Sequence, residues 1–161
     1  MFVKSKFFLL SLILGSTSLG IAGASLAATT HDHSQAEGVH ALQLKAGERW
    51  ATDAPLRKAM GALNESMRQS VAAIHENRLA DAQYVQLAEQ VRREVAYMVE
   101  HCKLPAEADA QLHLILGELL AGADSMAGET STQRDGAIML MGALSDYASY
   151  FADPGFTPIE H

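Results

Sequence analysis

Five side chains in this sequence carry metal-binding donor atoms at spacings that allow them to share one site. They are Met60, Met98, Cys102, Asp109 and His113. Thiolate, thioether and imidazole groups are the ligands that soft ions such as Cu(I) prefer, whereas Zn²⁺ does not take a thioether. Asp109 and His113 are four residues apart, so on a helix the carboxylate can hydrogen-bond one ring nitrogen and orient the other toward a metal. These residue types predict a soft-metal site, with copper as the candidate ion.

The same residues also fit a chain that binds no metal. Methionine is a common filler of helix cores, and an unpaired cysteine often behaves as a small buried hydrophobe. Under that interpretation Cys102 is inert and the chain is an interaction or scaffold protein. An enzyme is not expected, because the sequence shows no Ser-His-Asp constellation, no paired carboxylates on facing stripes and no phosphate-binding loop.

A second group of possible ligands lies near the start of the chain, where His31 and His33 flank Asp32. This pair is a weak ligand set for Cu²⁺ or Zn²⁺. If the mature chain begins at Thr29, its free amine and the histidine at the third position form a square-planar chelate for Cu(II) or Ni(II). The alternative is a solvated tail that binds nothing.

The first 27 residues have the features of a secretory signal peptide. Two lysines form a basic start, an apolar run follows at 7–13, and residues 25–27 (SLA) fit the small-x-small cleavage rule. The apolar run is too short to span a membrane, and no cysteine stands near the cleavage position to carry a lipid anchor. We therefore expect a periplasmic protein without a membrane anchor, with a mature chain that begins at Ala28 or Thr29.

Composition limits the partners of the mature chain. Two of the 12 basic residues lie in the first 27 positions, so the remaining 134 residues carry ten basic and 19 acidic side chains, a net charge of −9. Such an acidic chain is a poor ligand for nucleic acid or anionic lipid, whereas it suits cations, including metal ions. Its one cysteine has no partner for a disulfide within the chain.

Apolar residues recur at helical spacing in four segments, near 53–76, 81–102, 105–127 and 131–152. The segments are joined by only a few residues, and short loops between long helices place neighbours antiparallel. The sequence thus predicts an all-α, up-down-up-down four-helix bundle over 52–153. A flexible His-containing arm at 28–51 precedes the bundle, and a tail at 154–161 follows it.

This topology brings the five donor residues to the end of the bundle where the first helix begins. At a rise of 1.5 Å per residue, all five lie within roughly 12 Å of that end. On a helical wheel centred on Leu116, Asp109 lies about 20° away and His113 about 60° away, so both are expected within or beside the apolar stripe. Gly61 and Gly117 stand inside helices, and we expect them to mark a close approach between helices.

Three segments carry a resemblance to known proteins: residues 50–60 (WATDAPLRKAM), 102–104 (CKL) and 108–113 (ADAQLH). They resemble a group of small exported proteobacterial proteins without an assigned function, and the resemblance covers most of the mature chain but implies no activity. In architecture, the expected bundle is similar to soluble periplasmic b-type cytochromes, which hold haem with a methionine and a histidine. That similarity implies haem b between Met60 and His113 as an alternative cofactor. The family's ligands lie on the first and last helices, whereas the histidine here lies on the third.

Overall fold

The structure is a computed structural model that describes residues 41–159. Its helices are α1 (Ala54–His75), α2 (Asp81–His101), α3 (Ala106–Ala127) and α4 (Thr130–Tyr150), with two short strands, β1 (Trp50–Ala51) and β2 (Phe151–Ala152). The predicted all-α four-helix bundle is confirmed, and each helix boundary lies within two residues of the predicted one. Within the described residues, no helix is both long enough and apolar enough to cross a membrane.

Local sequence sets where α1 begins and ends. Asp53 precedes the helix in an extended conformation, and its Oδ1 accepts a hydrogen bond of 2.9 Å from the Leu56 backbone N–H. Pro55 fits the first turn of the helix, where a backbone N–H would have no acceptor within the helix. At the other end, Asn77 has a φ of 51°, a left-handed conformation that asparagine tolerates better than most residues. The chain can therefore reverse into α2 within a few residues.

The core runs through the whole bundle and consists of aliphatic and methionine side chains. Residues such as Leu63, Met67, Leu119 and Met141 are at most 3 % exposed. Each helix packs against the next in sequence, and α4 returns to pack against α1. This arrangement places the start of α1, the end of α2, the start of α3 and the end of α4 at the same end of the bundle.

Helices α3 and α4 approach each other closely at Gly122 and Gly136. A Cβ atom built on Gly136 would lie 2.6 Å from the Gly122 carbonyl oxygen, and one on Gly122 would lie 2.9 Å from the Gly136 carbonyl oxygen. The expectation for Gly61 and Gly117 is wrong, because a Cβ at either position has no neighbour within 4 Å. Both of these glycines are exposed, so packing does not require them.

The described part of the predicted flexible arm, residues 41–51, makes defined contacts with the bundle. Trp50 is 8 % exposed, and its Nε1 donates to the Gln43 carbonyl oxygen at 2.6 Å. The Gln43 backbone N–H in turn donates to Oε1 of the buried Gln111 on α3, at 2.7 Å. β1 pairs in parallel with β2, with Trp50 opposite Phe151. This end of the arm is part of the folded domain.

The predicted C-terminal tail also lies against the bundle. The Thr157 carbonyl oxygen accepts hydrogen bonds from Asn64 Nδ2 at 2.8 Å and from Arg68 Nη2 at 3.0 Å, both on α1. The ring of Phe156 meets the ring of Tyr147 edge-on, with centroids 4.9 Å apart. Residues 153–159 therefore form a strap along α1, which we call the C-terminal strap.

Candidate functional site

The end of the bundle where α1 begins holds the one cysteine. Cys102 directly follows α2, and its backbone N–H donates to the Met98 carbonyl oxygen at 2.9 Å. The next residue, Lys103, donates its backbone N–H to Asp53 Oδ2 at 2.6 Å. The Asp53 carboxylate therefore caps α1 with one oxygen and holds the end of α2 with the other. This bridge places a carboxylate beside the Cys102 thiol.

The environment of Cys102 favours its protonated form. The side chain is half-buried, and the pKa of its thiol is raised from 9.0 to about 11. Burial is the largest cause, followed by the charge of Asp53 and its hydrogen bond to the thiol, and then by the charge of Asp109. At neutral pH this thiol is a weak nucleophile, because the thiolate is the reactive form.

Met60 and Met98 lie in the core next to this end. Met98 is one helical turn before Cys102, and Met60 is two turns into α1 from Asp53. Met60 is 0 % exposed and Met98 is 1 % exposed, so their thioethers are enclosed by other side chains. The predicted inward orientation of both methionines is confirmed, and each also serves as core packing.

His113 does not face the interior, and the predicted orientation of this residue is wrong. Its side chain is 61 % exposed, and that of Asp109 is 47 % exposed. His113 Nδ1 lies 2.9 Å from the Asp109 carbonyl oxygen and 3.4 Å from Asp109 Oδ2. Since a carbonyl oxygen only accepts, Nδ1 is the donor in the contact with the Asp109 carbonyl. The Asp–His pair exists, but it stands on the outer face of α3.

The buried face of α3 explains this outcome. Its members are Ala108, Gln111, Leu112, Ile115, Leu116, Leu119, Gly122, Ala123 and Met126. At 100° per residue they span an arc whose centre lies about 70° from Leu116, on the side away from His113. Leu116 is thus an edge residue, and His113 lies about 130° from the true centre. The small Gly122 and the polar Gln111 widen the buried arc, and neither registers as apolar in the sequence.

The buried Tyr147 and the half-buried Asp153 form a hydrogen-bonded pair at this end that sequence reasoning did not assign. The Tyr147 hydroxyl donates to Asp153 Oδ2 at 2.9 Å, and the tyrosine is 0 % exposed. Burial raises the pKa of Tyr147 far above its ordinary range, and the hydrogen bond and charge of Asp153 add to the rise, while Arg57 opposes it. The charge of Cys102 also raises the pKa of Tyr147, so the thiol and the phenol share one region. The sequence signal for this pair is a tyrosine near the end of a helix that is followed six residues later by an aspartate.

No ready-made cluster of harder ligands occurs at this end. Across residues 41–159, no three His, Cys, Asp or Glu side chains are arranged to hold a metal ion. A metal here would depend on the Cys102 thiolate and on the thioethers. The second predicted pair, His31 and His33, lies outside the described residues.

Comparison with known proteins adds no assignment. The chain matches no protein-family model, no curated protein and no solved structure. The function proposed below therefore depends on the residues and geometry of this chain.

The raised pKa of Cys102 leads to a prediction about its reactivity. At pH 8 we expect the folded protein to react with iodoacetamide about 100-fold more slowly than the urea-unfolded protein, because the thiolate fraction falls about tenfold per pKa unit. Asp53→Asn should shift the pH midpoint of the reaction below 11 without reaching 9.0, because burial of the thiol persists. Alkylation rates followed by mass spectrometry from pH 7 to 11 give both values. Equal rates for folded and unfolded protein would contradict the structure around this thiol.

Proposed function

We propose that this chain is an exported, non-enzymatic helical bundle that binds a soft metal ion, Cu(I) or a similar ion, and buffers or carries it. Cys102 is the central ligand, and Met98 and Met60 are the thioethers within reach of the same end of the bundle. The observation that carries the proposal is the half-buried thiol, which is hydrogen-bonded to the Asp53 carboxylate and lies within the influence of the Asp109 charge. Export by residues 1–27 and the periplasmic location belong to the same proposal.

The electrostatics of the thiol support a cation in this position. The negative charges that hold a proton on sulfur also attract a monovalent metal ion that replaces that proton. The thiol must lose its proton on binding, so affinity for Cu(I) should rise about tenfold per pH unit below a pKa of about 11. A soft ion gains most here, since sulfur is the donor that the region offers.

His113 and Asp109 take a secondary place in the proposal. The exposed imidazole points away from the core, so it does not form the interior ligand that the sequence suggested. The haem b alternative needs His113 and Met60 to bind opposite faces of one haem. His113 is exposed on the outer face of α3, whereas Met60 is fully buried, so the two residues are not arranged in this way. We therefore favour the metal ion over haem.

A metal-free binding protein is the second candidate. The observation that favours it is the enclosure of both thioethers, because an ion that reaches Met60 or Met98 requires the bundle end to open. In this case Cys102 is a packing residue at the end of α2. The two candidates differ in one measurable property, which is stoichiometric binding of Cu(I).

The proposed site predicts how substitutions change Cu(I) affinity. In a competition assay under reducing conditions, Cys102→Ser should weaken binding by at least about 100-fold, since even outer partners of metal ligands contribute 10–100-fold. Met98→Leu should weaken binding to a lesser degree. Met126→Leu is the matched control, because Met126 is equally buried but lies near the opposite end of the bundle.

Three outcomes separate the interpretations. If affinity is unchanged in Cys102→Ser but lost on removal of residues 28–40, the histidine arm with His31 and His33 is the metal site. If no variant matters because Cu(I) does not bind, the metal-free protein becomes the leading interpretation. If added haem gives a saturable Soret band that Met60→Ala or His113→Ala removes, the haem alternative replaces the copper proposal.

A further inference from the structure

We infer that the groove between the first turns of α1 and the C-terminal strap is a binding site for a small organic carboxylate with an apolar group. The groove has a volume of about 800 Å³, within the range of small-molecule sites in proteins. One wall is α1, with Arg57, Lys58 and Gly61, and the other is the strap, with Asp153 and Phe156. This site is separate from the proposed metal ligands.

The charged side chains of the groove are mainly positive, whereas the chain as a whole is negatively charged. The protein has a net charge of −7, yet two of the three charged side chains in the groove are the cations Arg57 and Lys58. Within residues 41–159, neither cation forms an ion pair with a carboxylate. Both lie in the first two turns of α1, where the helix dipole disfavours positive charge, and the carboxylate at that helix end, Asp53, is already engaged by the Leu56 and Lys103 backbone N–H groups. A bound anion would offset the unfavourable positive charge at this end of the helix.

Arg57 is held in place before any ligand arrives. Its Nη1 donates to the Thr52 carbonyl oxygen at 2.8 Å and to Thr52 Oγ1 at 3.1 Å. Thr52 Oγ1 itself donates to the Ala152 carbonyl oxygen at 2.8 Å, which ties the arginine to the paired strands. The remaining guanidinium donors of Arg57 have no partner within the described chain, and a planar guanidinium matches a carboxylate with two parallel hydrogen bonds. Lys58 lies over the Tyr97 ring at 4.6 Å and adds a second positive charge.

The one acidic side chain of the groove is already engaged. Asp153 Oδ2 accepts from the Tyr147 hydroxyl at 2.9 Å, and Asp153 Oδ1 accepts from the Gly155 N–H at 3.1 Å. These donors stabilise the carboxylate, and neither Arg57 nor Lys58 forms an ion pair with it. The rest of the lining is largely apolar, with Ala51, Ala152, Pro154 and the ring of Phe156. This lining suits the hydrocarbon part of an amphipathic anion.

Gly61 gives an independent indication that the groove is kept open. A glycine inside a helix destabilises it by about 1 kcal/mol relative to alanine. Packing does not require the glycine, because a Cβ atom here would have no neighbour within 4 Å. Any larger side chain at position 61 would project into the groove between Arg57 and the strap. Of the three helix glycines without a neighbour at the Cβ position (Gly61, Gly117 and Gly142), Gly61 is the one that lines this groove, and it leaves the α1 backbone accessible to a ligand.

The experiment is a titration of the mature protein with sodium benzoate, followed by amide chemical shifts. We expect saturable shifts confined to the groove, at Gly61, Thr52 and Gly155. Arg57→Gln should weaken benzoate binding about tenfold or more, the value of one charge-assisted hydrogen bond. Gly61→Leu should abolish binding. Gly117→Leu is the matched control, since Gly117 is also exposed in a helix with no neighbour within 4 Å but lies outside the groove.

Several results would overturn the inference. Absence of saturable benzoate binding removes the site, as does equal binding in the Gly61→Leu and Gly117→Leu variants. Binding of inorganic phosphate without binding of benzoate shows that the ligand class is wrong, and equal binding of benzylamine shows that the cations do not select the ligand. Cys102→Ser should leave benzoate binding unchanged, so failure of the metal proposal and failure of this inference are distinguishable.

Discussion

Gly136→Ala is expected to lower the free energy of unfolding by about 3 kcal/mol, at the upper end of the usual range for overpacking. The added Cβ would lie 2.6 Å from the Gly122 carbonyl oxygen and 2.6 Å from the Met126 backbone nitrogen. Both are backbone atoms of α3, so no side chain can rotate away to make room. The two helices must separate instead, and the core between them would lose contact. Urea unfolding followed by circular dichroism gives the value.

Gly142→Ala is the matched control, because Gly142 lies in the same helix and a Cβ there has no neighbour within 4 Å. It should raise the free energy of unfolding by up to about 1 kcal/mol through helix propensity alone. The two alanine substitutions thus have opposite expected signs. If Gly136→Ala is as stable as the wild type, the close approach of α3 and α4 is not present in solution.

Tyr147→Ala is expected to lower the free energy of unfolding by about 4 kcal/mol, as for other large-to-small substitutions of buried aromatic residues. Tyr147 is fully buried at the end of α4. Its ring stacks on Phe151 with centroids 5.5 Å apart and meets Phe156 edge-on. Removal of the ring leaves a cavity under the C-terminal strap, and the strap would lose its main apolar contact. Thermal and urea unfolding measure the loss.

Conservative variants separate the ring of Tyr147 from its hydroxyl. Tyr147→Phe keeps the ring and removes one hydrogen bond to Asp153, a loss of about 1–2 kcal/mol. Tyr150→Phe should change stability by less than about 0.5 kcal/mol, because Tyr150 is only half-buried and no hydrogen bond of its hydroxyl occurs within residues 41–159. A larger effect of Tyr147→Phe than of Tyr147→Ala would be incompatible with this geometry.

The helices were predictable because their signals are local. Asp53 and Pro55 mark the start of α1 in the sequence, and the apolar spacing of Leu56, Met60 and Leu63 follows directly from the helical repeat. The short connections then determine the order of packing. None of these signals depends on contacts between distant parts of the chain, so they could be read without the structure.

The candidate site was only partly predictable. The heights of Met60, Met98 and Cys102 in the bundle followed from topology, but the direction of His113 depended on the exact centre of the buried arc of α3. Leu112, Leu119 and Met126 all lie on the side of Leu116 away from His113, so the buried apolar residues alone place the centre of the arc about 50° from Leu116. The wheel centred on Leu116 is thus centred on an edge residue. The burial of Gly122 against α4 and of Gln111 beside Gln43, neither of which carries an apolar signal, moves the centre further in the same direction.

Tertiary contacts also explain the misassigned glycines and the ordered ends. Gly61 and Gly136 are equivalent as residue types, and only the neighbouring helix distinguishes an exposed position from a close approach. The Thr157 carbonyl oxygen finds its donors Asn64 and Arg68 about 90 positions earlier in the chain, a distance at which no spacing rule applies. Polar segments that look like tails in a sequence can therefore belong to the folded domain.

The pairing of β1 with β2 has a consequence for the order of folding events. Trp50 and Phe151 are 101 positions apart, so their ladder closes almost the entire described chain into one loop. Closing a flexible loop of that length costs about 4 kcal/mol in chain entropy. The hydrogen bonds between two pairs of residues in a parallel ladder stabilise the fold by less than this. The ladder can form only after the helical hairpins have already brought the ends together. The high sequence separation of this pair places it late on the folding path, and its hydrogen bonds should be among the first to open when the bundle fluctuates.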